Sequence, residues 1–226
     1  MRTKEICRVL NDFLFEGLGS GVFIGVQTHL VGSADSKETL EPSERIGMIP
    51  PGGISIKSYL ELITQNKYSA VFLDGSVMCI QCTFSNETLT KHRYTYIPYP
   101  FDPSTLSGRP DDIPLADWIS ELVAPEATEH FRSSGTLRFD YSDKPIIDPE
   151  SPHPFSHMTF GSNDCRVPVR SPLSIVDFLN IVFDNFQRQG RLVWLGFAPH
   201  IRCGIQKTSI RENELQFHHL SREDLV

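Results

Sequence analysis

The chain has 226 residues, 39% of them apolar and 22% charged, so it can bury a large core and lies far from the composition of disordered chains. Its formal charge of −7 argues against non-specific binding to the polyanionic backbone of nucleic acid, while leaving room for a local basic patch. No stretch approaches the roughly 20 apolar residues that span a bilayer, and Met1-Arg2-Thr3-Lys4-Glu5 leads into an amphipathic pattern instead of a signal-peptide block.

These features predict a cytoplasmic protein with no membrane contact, folded as a single domain over residues 1–226. The five cysteines, at positions 7, 79, 82, 165 and 203, read as reduced thiols. Cys79-Ile80-Gln81-Cys82 has C-x-x-C spacing, but it falls in a strand pattern, where residues three apart point to opposite faces. Buried thiols are therefore the expectation there.

In chain order, Ile6, Val9, Leu10, Phe13 and Leu14 have helical spacing, and the run meets Gly17, Gly19 and Gly21, which predicts a helix over 4–17 with a glycine stop. Those glycines lack the spacing of a dinucleotide fingerprint. A strand over 22–30 precedes a Ser-, Glu-, Gly- and Pro-rich stretch at 32–53, read as a surface loop. A second amphipathic helix is predicted over 55–66, capped by Ser55.

From Tyr68 to Tyr99 the period changes to two. Strands at 69–73, 77–84 and 89–97, separated by Asp74-Gly75-Ser76 and Ser85-Asn86-Glu87-Thr88, predict a three-strand antiparallel meander. A proline-rich excursion at 98–114 leads to a short helix at 115–122. Strands at 136–141, 155–160 and 165–169 extend the meander. Ser174 then caps a helix with the stripe Ile175, Phe178, Leu179, Val182 and Phe186, with Leu173 and Phe178 spaced as a hydrophobic staple. An apolar run at 192–197 and a strand near 215–219 close the chain. The whole predicts an α+β fold, an antiparallel meander sheet with helices packed on one face.

Strand alternation gives the stretch from Arg138 to Arg166 its chemistry. Leu137, Phe139 and Tyr141 share one face, as do Met158 and Phe160, so Arg138, Asp140, His157 and Thr159 point the other way, with Arg166 beside them. A histidine beside a carboxylate transfers protons near neutral pH, and two arginines hold a phosphate or carboxylate. The candidate catalytic residues are His157, Asp140 and His153. The candidate substrate-binding residues are Arg138, Arg166, Thr159 and Tyr141.

The competing reading is a solvated sheet face whose charges form ordinary cross-strand pairs, worth about 0.2 to 1 kcal/mol each. His153, His157 and Asp140 are conceivable metal ligands, but His153-Pro154 breaks strand regularity, and neither a metal nor a cofactor is assigned. His157-Met158-Thr159-Phe160 has the shape of half the paired motif of two-histidine phosphoesterases, whose second half would fall on His219-Leu220-Ser221-Arg222, where Arg222 breaks the pattern.

Arg138-Phe139-Asp140-Tyr141, His153-Pro154 to His157, Phe160-Gly161, Cys165-Arg166-Val167-Pro168, Ser171-Pro172-Leu173, Phe178 and Asn185-Phe186 together resemble a bacterial family of about this length catalogued as a domain of unknown function, most densely over 136–187. The resemblance implies a bacterial or mobile-element origin and a single domain, and carries no catalytic role.

The order arginine, aromatic, acid, proline loop and histidine-bearing strand is also similar, by analogy alone, to small toxins of toxin and antitoxin pairs. From it comes the leading expectation, a stress or phage-defence module acting on RNA or a nucleotide, with a protein partner encoded nearby. The alternative is a non-catalytic subunit that binds a partner protein through the proline-rich loop with Tyr94, Tyr96, Tyr99 and Phe101. The residues leave open whether the protein is an enzyme and what its oligomeric state is.

Overall fold

The computed structural model describes residues 2–44, 55–122, 135–144, 155–161, 166–201, 208–210 and 212. The predicted strand at 215–219 lies outside them. The first helix, α1 (Thr3–Gly19), buries Ile6, Val9, Leu10, Phe13 and Leu14 as their spacing requires. It runs two residues past Gly17, which is not its stop: a Cβ there would meet the ring of Phe23 at 2.3 Å, so Gly17 is where the next strand packs against the helix.

The stretch predicted as one strand over 22–30 is two, β1 (Phe23–Val26) and β2 (His29–Ala34). Part of the predicted loop at 32–53 is also strand, because β2 forms a hairpin with β3 (Lys37–Pro42) around Asp35-Ser36. Both turn residues have positive φ, 48° and 61°, the geometry whose twist suits a two-residue hairpin. Residues 45–54 lie outside the described set.

α2 (Ile56–Thr64) begins where Ser55 was expected to cap it, the Ser58 N–H donating to the Ser55 hydroxyl at 3.1 Å. Next come β4 (Ala70–Phe72), β5 (Val77–Ser85) and β6 (Thr88–Ile97), the expected meander; Asn86 and Glu87 make the second positive-φ hairpin turn. After the short α3 (Ser104–Ser107) and α4 (Leu115–Leu122), the sheet resumes with β7 (Leu137–Ser142), β8 (Ser156–Phe160) and β9 (Arg166–Pro168).

Every pairing is antiparallel, in the order β1-β4-β5-β6-β7-β8-β9, with the β2-β3 hairpin added to the far half of β5. α5 (Ile175–Asn185) follows a capping box in which Ser174 and Asp177 exchange hydrogen bonds, and α6 (Arg191–Phe197) holds the last apolar run.

The larger core lies on one side of the sheet. There α1, α5 and α6 bring Phe13, Phe178, Phe183 and Trp194 onto Phe72, Met78, Ile80, Tyr94, Tyr96 and Phe139. Helices also cover part of the other side, where α2 and α4 bury Tyr59, Ile63 and Ile119 against Val71, Val77, Cys79 and Ile97. The expectation of helices on one face therefore holds for the β6–β8 end of the meander and fails at β4–β5, whose strands are apolar on both sides. Cys79 and Cys82 are buried in opposite layers, and burial pushes the Cys79 thiol up to about 12. No helix among the described residues is long and apolar enough to cross a membrane.

Candidate functional site

On the side away from α5, the second face of β6 to β9 is polar, and strand register fixes which residues meet there. One row runs Thr95, Arg138, Thr159, Arg166 across four strands; the next runs Arg93, Asp140, His157, Pro168. Neighbours in a row stand about 5 Å apart, and successive rows on one face about 7 Å apart. The face predicted by alternation is thus assembled, with Arg138, Asp140, His157, Thr159 and Arg166 on it.

Asp140 is the electrostatic centre. Arg93 Nε donates to its Oδ1 at 2.7 Å and Arg138 Nε to its Oδ2 at 2.6 Å, while His157 Nε2 lies 3.6 Å from Oδ2. These groups are well enclosed: side-chain exposure is 13% for Asp140, 12% for Arg138 and 2% for His157, rising to 31% for Arg93. Burial alone would raise the Asp140 pKa, but the charges of Arg93 and Arg138, together with the Arg93 hydrogen bond, outweigh it and hold the carboxyl below its ordinary value. Asp140 is therefore a fixed anion at neutral pH and a poor proton acceptor.

Each arginine spends only its Nε on the carboxylate, and neither makes a hydrogen bond through its Nη groups among the described residues. The face is correspondingly rich in open donors. Thr95 and Thr159 are buried with hydroxyls that find no partner among the described residues, as is the Nε of Arg166.

Two predicted site residues are not brought to this face. Tyr141 is on the opposite side of the sheet, packed against the larger core with its ring 5.8 Å from His92, because β7 alternates and its neighbour Asp140 takes the polar side. His153 lies outside the described residues. Among the described residues no cluster of three His, Cys, Asp or Glu side chains could hold a metal ion.

Arg93 and Thr95 were not picked out by sequence reasoning. Their signal was the alternation Lys91, Arg93, Thr95 against His92, Tyr94, Tyr96 within β6, which places a second arginine beside Asp140 once β6 and β7 pair. His92, on the core side, stacks on Tyr94 at 4.3 Å and is held by the Phe139 carbonyl. Burial pushes its pKa down to about 3 against the opposing charge of Asp140, so it is a neutral core residue.

The aromatic residues of the proline-rich loop and the strand before it, Tyr94, Tyr96, Tyr99 and Phe101, are all buried, at 0, 3, 8 and 1% exposure. They are part of the two cores and are not surface anchors for a partner.

No curated protein and no solved structure matches the chain. Residues 49–221, a span that contains the whole polar face, match the model of the family described as an uncharacterized conserved protein (DUF2290), and the chain belongs to that family.

Proposed function

We propose that the polar face is a phosphate-directed active site that acts on RNA or a nucleotide. The observation that supports this reading is the Asp140 carboxylate shared between two arginine Nε donors, with His157 Nε2 3.6 Å from it on a largely enclosed face. A solvated sheet face has no need of that burial.

In this reading His157 moves the proton. Asp140 stays ionised, orients the ring and favours the imidazolium that forms when the ring accepts a proton. Arg93 and Arg138 present their outer guanidinium nitrogens to the substrate phosphate, and Arg166 and Thr159 extend the same surface. Arg93, more exposed than Asp140, Arg138 or His157, marks the side from which substrate arrives. The enclosed ring and the net charge of −7 both favour a nucleotide or a single-stranded end over a long duplex.

The cellular role that fits such an activity is the toxin-like stress or phage-defence module suggested by the order of residues, within one domain. The test is growth of a bacterial host expressing the wild type or His157→Ala, with circular dichroism on both purified proteins. The expected result is growth arrest and altered total RNA or nucleotide pools with the wild type alone. Equal growth with two equally folded proteins would overturn the toxin-like role.

A further inference from the structure

The two rows of the polar face are chemically different. The row Arg93, Asp140, His157 contains the carboxylate and the imidazole, while the row Thr95, Arg138, Thr159, Arg166 contains no carboxylate of its own, only Arg138 reaching across to Asp140. Thr95 and Thr159 flank Arg138 on both sides at 0 and 5% exposure, and neither hydroxyl has a hydrogen-bond partner among the described residues. Thr136, two residues ahead of Arg138 and 5% exposed, repeats the pattern.

A buried, unsatisfied hydroxyl costs roughly 1 to 3 kcal/mol, and Thr95 and Thr159 are the two register partners of Arg138. Charge points the same way: among the described residues of these two rows, three guanidiniums, those of Arg93, Arg138 and Arg166, stand with one carboxylate, that of Asp140, an excess of two positive charges in a chain of net −7.

We infer that this row is the seat of a phosphate monoester dianion, so that the substrate of the site carries a terminal phosphate lying about 7 Å, one row, from the position where His157 acts. This rests on the phosphate-directed reading above and narrows it. Two threonine hydroxyls, the Nη pair of Arg138 and the Nε of Arg166 are donors enough for the three terminal oxygens of a monoester. The excess of two positive charges matches its dianion. An internal phosphodiester offers two free oxygens and one charge, and leaves part of the row unsatisfied. The substrate class is therefore a mononucleotide or an RNA end that bears a terminal phosphate, and not the interior of an RNA chain.

The experiment is calorimetry and thermal melting of the full chain with four probes: inorganic phosphate, adenosine 5′-monophosphate, adenosine, and an adenylyl-adenosine diester without a terminal phosphate. The two monoester-type probes are expected to bind and raise the melting temperature, and the other two to do neither. Thr95→Val and Thr159→Val, nearly isosteric, should each leave the ligand-free protein as stable or more stable while weakening phosphate binding roughly tenfold or more.

That opposite sign separates a ligand seat from a packing role. His157→Ala should retain phosphate binding. Diester binding equal to that of the monophosphate, wild-type affinity in both threonine variants, or no monoester binding at millimolar concentration would each overturn the seat. Monoester binding through the threonine row without turnover of any substrate would leave the seat standing and remove the catalytic reading. Turnover that is lost in His157→Ala but leaves binding indifferent to both threonines would do the reverse.

Discussion

Replacing Asp140 with Asn tests the electrostatic centre of the face. The carboxylate holds one guanidinium on each oxygen, at 2.7 and 2.6 Å, with Asp140 and Arg138 almost nine-tenths buried. Deleting one member of a buried ion pair typically costs about 3 to 5 kcal/mol, because the partner charge stays behind. Arg93, at 31% exposure, regains much of its hydration, so the expected loss for Asp140→Asn is about 2 to 4 kcal/mol. That corresponds to a fall in Tm of roughly 5 to 15 °C for a chain of this size.

Urea unfolding at pH 7, followed by circular dichroism, gives the free energy directly if the slope with denaturant is unchanged. Because the pKa of Asp140 is depressed in the folded state, its contribution is present above the ordinary carboxylate pKa and is lost as pH falls through the folded value. The gap between wild type and variant should therefore close in acid. A loss below about 0.5 kcal/mol at pH 7 would place these groups with ordinary surface ion pairs and refute the reasoning.

Burial pushes His29 down to about 4 and His92 to about 3, so both are neutral when folded and take up protons on unfolding in mild acid. Stability should be constant above about pH 6.5 and fall by up to about 3 kcal/mol per pH unit between there and pH 4, a slope that His92→Gln should roughly halve; an equal slope in the variant would contradict the assignment. Ser174→Ala removes the hydroxyl half of the α5 capping box, the acceptor of the Asp177 N–H, while residue 174 keeps its own N–H to the Asp177 carboxylate, and should cost about 1 kcal/mol by urea unfolding. Gly17→Ala gains helix propensity but drives a methyl into Phe23, and should still destabilise by about 1 to 2 kcal/mol, whereas a rise in Tm would show that the ring can yield.

Where side chains alternate strictly, the sequence exposes its own geometry. The polar face was legible because Leu137 and Phe139 commit β7 to the core and leave Arg138 and Asp140 no other side; the same logic placed His157, Thr159 and Arg166. Tyr141 was misgrouped despite that logic, since its polar tip invited a site role while its position put it with the core. Arg93 lies 47 residues from Asp140, and only the pairing of β6 with β7 joins them, a fact of register that no local pattern states.

The β2-β3 hairpin escaped notice for a different reason. Its turn is Asp-Ser without glycine, and only His29, Leu40 and Pro42 of its strand residues are buried, which gives no hydrophobic alternation. The buried tyrosines of the 98–114 stretch and the strand before it show the limit of composition as a guide. Aromatics beside prolines suit an interface, but Tyr59 and Tyr99 pack edge to face under α2, and the Tyr59 hydroxyl donates to the Gly75 carbonyl.

The most direct test of the central claim is turnover by the purified full chain. A panel of nucleoside mono-, di- and triphosphates and 5′-phosphorylated RNA would be incubated with the wild type and with His157→Ala, products being separated by chromatography. The account predicts turnover of at least one phosphorylated substrate and a loss of roughly a hundredfold or more in the variant. Turnover unaffected by the loss of His157, or none with any substrate of the panel, would contradict it.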